Sequence, residues 1–151
     1  MISEFEKILN NSSDLKSVEM TLLAYLEKVR KIEKRERIGF VSGSVFSDGE
    51  ENVKRNIKIL HNRTEKVRKT HNFPIFSAYD VLYNGLFWKL PESRLPFEKR
   101  RPLFFGFWKR VMECGYVTDM FMSPGWEKSV GAVKEHESAV KMEMRVCYLN
   151  N

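Results

Sequence analysis

The chain has 151 residues, 42% of them hydrophobic and 13% aromatic, enough to bury a core, which excludes wholesale disorder and favours one ordinary domain over two. Twenty-six Lys and Arg against twenty Asp and Glu leave a net charge of +6, which suits an anionic partner without choosing among nucleotide, nucleic acid and membrane surface. The longest clean apolar run, Leu103 to Trp108, is far short of the roughly 20 residues a bilayer span needs.

The first residues lack the basic-then-apolar order of a signal peptide, and Cys114 and Cys147 are too few for a disulfide framework or a zinc site. A cytoplasmic protein without metal or cofactor is the expectation, with no membrane partner.

Residues 1–37 read as an N-terminal helical extension. Ser3 and Glu6 have capping-box spacing and open a short helix carrying Phe5, Ile8 and Leu9, which Asn10-Asn-Ser-Ser13 breaks. A longer helix follows, because Leu15, Val18, Leu22, Tyr25, Val29 and Ile32 recur at spacings of three and four. A seam this short packs on its own domain or forms a subunit contact, and the assembly expected is a homodimer or higher homo-oligomer. The charge-dense stretch 28–37 reads as a solvated face. Basic clusters at 54–69 and 99–110 lack interleaved aromatics except around Phe104–Trp108, so nucleic acid is not the expected partner.

From residue 38 to 151 the pattern becomes strand, loop, helix, repeated. Ile38–Val41 is a short strand running into the small-residue turn Ser42-Gly43-Ser44, and a helix extends from Asp48-Gly-Glu-Glu51 to about Thr70. Phe73–Ala78 is a second strand, leading to a loop with Tyr79 and Asp80. Residues 84–96 are irregular, 97–114 form a third helix, and Tyr116–Met122 a third strand stopped by Ser123-Pro-Gly125. Residues 129–144 form a helix and Arg145–Leu149 a closing strand. Strands alternating with helices predict an α/β fold: a three-layer sandwich on a small parallel sheet.

In such a sheet ligands bind beyond the carboxyl ends of the strands. Three loops converge there, carrying Ser42, Gly43 and Ser44, then Tyr79 and Asp80, then residues 123–131. The last loop delivers Ser129 as an N-cap and Gly131 in a first helical turn, where free N–H groups make an anion site. The alternative is that Ser129 only caps and Gly131 only lets the helix pack. Glu135 projects to the edge of the same helix's apolar arc, where a carboxylate is costly unless paired or used. His136 projects into the middle of that arc, as a satisfied core residue more readily than a base. The chain contains no phosphate-binding G-x-x-x-x-G-K-[ST] loop, no G-x-G-x-x-G and no G-x-S-x-G elbow.

Gly125-Trp-Glu-Lys-Ser-Val-Gly-Ala-Val-Lys-Glu135, following a strand, resembles the signature of the nucleoside 2-deoxyribosyltransferase-like superfamily, and Phe40-Val-Ser-Gly-Ser-Val45 is similar to its first strand and loop. The resemblance covers about residues 38–150. It implies a flavodoxin-like fold and a nucleophilic glutamate four residues after a glycine, positions held here by Glu135 and Gly131. Six residues before that glutamate the family's free-nucleoside transferases carry Asp. Ser129 stands there, as in the related N-glycosidases acting on nucleoside 5′-monophosphates, and a Ser at a helix N-terminus suits phosphate where a carboxylate repels it.

The resemblance thus implies N-glycosidic bond cleavage or transfer on a nucleotide. Ser42, Gly43 and Ser44 would line sugar or phosphate, and Trp126 would stack on the base, unless it simply packs beneath its loop. Two positions depart from the family pattern. Its first-strand Tyr is Phe40 here, and its helix Asp is absent from Phe107–Val111, leaving Asp80, Glu127 and Asp119 as the carboxylates available to replace it. These departures motivate a second reading, a catalytically degenerate member that binds a nucleotide without cleaving it.

Overall fold

The computed structural model describes residues 2–151, and the side chains of all of these except residues 2–4 and 6. The expected Ser3–Glu6 capping box therefore lies outside the described side chains. Five helices and four strands follow in order: α1 (Ile2–Leu9), α2 (Leu15–Lys31), β1 (Gly39–Ser42), α3 (Val53–Lys69), β2 (Ile75–Ser77), α4 (Phe97–Met112), β3 (Asp119–Met122), α5 (Val130–Lys141) and β4 (Arg145–Tyr148). The strands form one all-parallel sheet in the order β2-β1-β3-β4. This is the doubly wound order of flavodoxin-like sheets with four strands in place of five.

The chain moves toward one edge through α3 and toward the other through α4 and α5. Right-handed crossovers then place α3 on one face and α4 and α5 on the opposite one. The three layers follow from that. Strand alternation assigns the side chains: Phe40 and Phe76 meet each other, and Phe40 meets Trp108 of α4. Phe121 points to the α3 side, against Phe73 and His71.

The N-terminal helices are part of this core. Phe5, Leu9, Leu15, Val18, Leu22, Tyr25, Leu26 and Val29 are buried in the same apolar cluster as the sheet, and Phe5 packs on Phe76. Of the predicted seam only Ile32 departs, 73% exposed at the C-cap of α2. Asp14 caps α2 through a reciprocal bond with Ser17. Polar ties fix the helices to the α/β part: Arg110 makes a forked contact to Glu19, the Leu15 N–H donates to Glu92, and Arg30 donates to the Tyr116 carbonyl. The seam is thus satisfied within the chain itself.

Element boundaries differ from the sequence reading in physically sensible ways. The segment after β2, expected as a loop, is a π-helical turn over Tyr79–Tyr83, and residues 87–94 contain two 3-10 turns. Helix α4 runs through Pro102 in its second turn, where Pro cannot donate to the Glu98 carbonyl, while Pro96 at the N-cap receives the bonds of Lys99 and Arg100. No described helix is long and apolar enough to cross a membrane.

Candidate functional site

The strand order reverses at β1, between β2 and β3, so the switch-point crevice opens where the β1 and β3 loops diverge. A cavity of about 590 Å³ opens there, between these loops and the turn after β2, and runs along α4 and α5 as far as Glu113 and Lys141. Its apolar wall is aromatic, with Phe46, Phe87, Phe104, Phe105 and Trp108. Six Lys and Arg and three Glu also line it, so the cavity is cationic on balance. Lys141 and Ser138 both bond Glu113, at 2.6 and 2.9 Å, which holds that carboxyl below its usual range and removes one charge of each sign from the count.

Glu135 is the acid that stands apart. It lies in the second turn of α5, and its Oε1 accepts a 2.6 Å hydrogen bond from Ser42 Oγ at the end of β1. Burial pushes its pKa up to about 7, against the opposing Ser42 bond, and no cation is among the groups acting on it. The expected edge position on the apolar arc of α5 is what delivers it to the cavity.

Ser129 caps α5 as expected: its side chain accepts from the Ala132 N–H, it is buried, and it lines the cavity with Gly131. A Cβ on Gly131 would be only in ordinary contact with Phe105, so the glycine leaves the first turn open rather than permitting a tight helix–sheet contact. Gly43 is more constrained. A Cβ there would come within 2.9 Å of Ser123 Oγ and 3.1 Å of Leu60, so a side chain at this position would have to push both aside. Ser42 reaches the site through Glu135, whereas Ser44 bonds Ser47 and lines a smaller neighbouring cavity.

Two proposed ligand contacts are corrected. Asp80 is buried away from the cavity, accepting from Arg68 at 2.7 Å and the Ser77 N–H at 2.9 Å, so it staples the end of β2 to α3. Trp126 does not wall the cavity either; it stacks on His136 with centroids 4.3 Å apart and lies beside Tyr148. His136 is half-buried in that stack, its Nε2 2.7 Å from the Tyr148 hydroxyl, and so lies neither in the core nor in the cavity. Among the substitute carboxylates, Asp119 sits at the amino end of β3, paired with Arg37, and Glu127 is exposed outside the cavity.

Sequence reasoning passed over Tyr83. The π-helical turn buries it in the cavity wall among Phe46, Phe87 and Trp88. Burial raises its pKa, the charge on Glu135 raises it further, and Arg100 partly opposes both. A neutral phenol thus stands near the carboxylate although β1 carries Phe40. Its only signal in sequence was an aromatic within a segment read as loop. Arg100 and Arg101, on the first turns of α4, were read only as part of a basic cluster; here they lie against Phe46 and Phe105 at the cavity.

Among the described residues no cluster of three His, Cys, Asp or Glu is placed to hold a metal ion. Comparison with protein-family models, with curated proteins and with solved structures finds no match in any of the three.

Proposed function

We propose that this chain binds a nucleoside 5′-monophosphate or a close relative and cleaves or transfers at its N-glycosidic bond, with Glu135 as nucleophile, in the manner of the nucleoside 2-deoxyribosyltransferase-like superfamily. The observation that carries the reading is Glu135 itself. A carboxylate with a raised pKa, bonded to Ser42, sits in an aromatic cavity beside a capped helix N-terminus, and five cations line that cavity besides the Lys141 paired to Glu113.

In this mechanism the free N–H groups of the α5 first turn and the cationic rim hold the phosphate, and the aromatic wall holds the base. Glu135 attacks C1′ as the C1′–N bond breaks through an oxocarbenium-like transition state, which its negative charge stabilises. The bonding pair leaves with the base nitrogen, which takes a proton from water in the open cavity. A glycosyl ester on Glu135 remains. Water attacking C1′ releases the sugar phosphate and restores the carboxylate, or a second base attacks to give transfer. Ser42 fixes the attacking carboxylate, and Tyr83 supplies a neutral O–H donor beside it.

Incubation with a panel of ribo- and deoxynucleoside monophosphates, followed by chromatography for free base, tests the reading. Base release by the wild type and none by Glu135→Gln is the expected result. The second reading, binding without cleavage, is favoured by one observation: Asp80, Asp119 and Glu127 all lie outside the cavity, so none of them can protonate a departing base. Tight binding of a monophosphate with no base released would establish it.

A further inference from the structure

A second cavity of about 320 Å³ adjoins the first on the α3 side, and the two share Gly43, Ser47, Lys128 and Ser129 in their walls. Two groups in it lack what their burial calls for. Ser123, at the end of β3, is 3% exposed, and its Oγ has no hydrogen-bond partner. Arg63 of α3 is half-buried and makes no ion pair or hydrogen bond among the described residues, whereas its neighbour Arg55 turns to Asp48. Burial pushes the Arg63 guanidinium below its ordinary pKa with no anion acting in the opposite sense. An unpartnered buried hydroxyl and an unpaired, partly desolvated cation each destabilise a fold unless something else uses them.

The geometry says where they are aimed. The place a Cβ on Gly43 would occupy is 2.9 Å from Ser123 Oγ, so the unpartnered hydroxyl faces the glycine where the two cavities meet. The cavity lined by Glu135 and Ser129 meets the second one at Gly43, Ser47, Lys128 and Ser129, and Arg63 lines the second. We propose that the ligand carries a 5′-pyrophosphate, its first phosphate at the α5 N-terminus and its second in this cavity, held by Arg63, Lys128 and the Ser123 hydroxyl. This rests on the nucleotide reading above and changes its substrate class, from a monophosphate to a nucleoside diphosphate or a pyrophosphate-linked dinucleotide.

Calorimetric titration with matched mono- and diphosphates of the common ribo- and deoxynucleosides tests the proposal. For the base that binds, the diphosphate should bind about tenfold or more tightly, the worth of a charge-assisted contact. Arg63→Gln should abolish that advantage and leave monophosphate affinity unchanged. Arg63→Lys, which keeps the charge, should retain part of it, and provides the test should the Gln variant fail to fold. A nicotinamide adenine dinucleotide arm separates the two sources. Affinity near that of the diphosphate assigns an internal pyrophosphate, and much weaker binding assigns a terminal phosphate. Equal affinity for mono- and diphosphate in the wild type, or equal weakening of both by Arg63→Gln, overturns the proposal while leaving the monophosphate reading intact. Failure of every nucleotide to bind overturns both.

Discussion

At the amino end of the sheet, Asp119 accepts from Arg37 at 2.6 and 3.2 Å and from Thr118 at 2.6 Å, with Arg145 nearby. Burial alone would raise its pKa, but these bonds and charges outweigh it and hold the carboxyl below its usual range. At the carboxyl end Glu135 is given one hydroxyl and no cation, and burial wins. Asp119 is buried at one end of the sheet, and Glu135 is half-buried in the cavity at the other. One is neutralised by design of its neighbours and so fastens strands together; the other keeps the cost of its burial, as expected for a group used on something that is not part of the chain.

The largest test of this contrast is chemical. Glu135→Gln preserves size and helix propensity and can still bond Ser42, but it cannot form a glycosyl ester. Base release should fall by several orders of magnitude with the fold retained, read by chromatography and circular dichroism. Unchanged turnover would sink the assignment. Asp119→Asn, at the other end, should leave specific activity in the remaining folded protein unaffected.

Second in size is a change at the helix terminus that frames Glu135. Ser129→Asp keeps an N-cap acceptor while putting a negative charge against a bound phosphate. At a few ångströms and an effective dielectric near 20 the repulsion is on the order of a few kcal/mol, or about a hundredfold or more in affinity. A free nucleoside should suffer far less, because the same carboxylate can accept from its 5′-hydroxyl. Equal weakening of both ligands would reduce Ser129 to a cap.

How much of this contrast could be read beforehand depends on whether the cause was local. The seam of α2 as far as Val29, the Ser129 cap and the edge position of Glu135 each follow from spacing within a single helix, and they stand where spacing puts them. Asp80 failed because its role is set by Arg68, on the preceding helix, through a contact no local period encodes. Trp126 failed because its partners are on α5 and β4. Tyr83 was hidden by a π-helical turn, which has no periodicity to recognise, and its nearness to Glu135 spans more than fifty residues. Local signals located the helix that carries the acid, and long-range packing decided its company.

Stability should respond to pH with opposite sign at the two ends. The folded pKa of Glu135 is raised from its ordinary 4.5 to about 7, so its favourable contribution is complete below about 4.5 and lost as pH rises through 7. Glu135→Gln should therefore stabilise the protein at pH 8, by on the order of 3 kcal/mol, and hardly at pH 4. Asp119 has a depressed folded pKa, so its contribution is present above its unfolded value and lost as pH falls through the folded one. Asp119→Asn should cost about 1–3 kcal/mol at pH 7, with the difference shrinking in acid. Urea melts of both variants across pH would show two crossing trends, and parallel ones would mean that the two ends are not differently tuned.

The smallest effect separates two neighbours of Glu135 that a static view treats alike. The Ser42 hydroxyl bonds the carboxylate directly and lowers its pKa, whereas Tyr83 feels the carboxylate's charge but is not among the groups that set the Glu135 pKa. Ser42→Ala should consequently move the midpoint of the pH–rate profile above about 7, because burial then acts unopposed. Tyr83→Phe should leave that midpoint in place and lower the rate about tenfold, the worth of one hydrogen-bond donor to the substrate or the transition state. Burial and the Glu135 charge raise the phenol's pKa above its ordinary 10, so its removal adds no new limb to the profile near neutral pH. A midpoint displaced by Tyr83→Phe as far as by Ser42→Ala would place the tyrosine on the carboxylate instead, leaving the cavity without a second donor for the ligand.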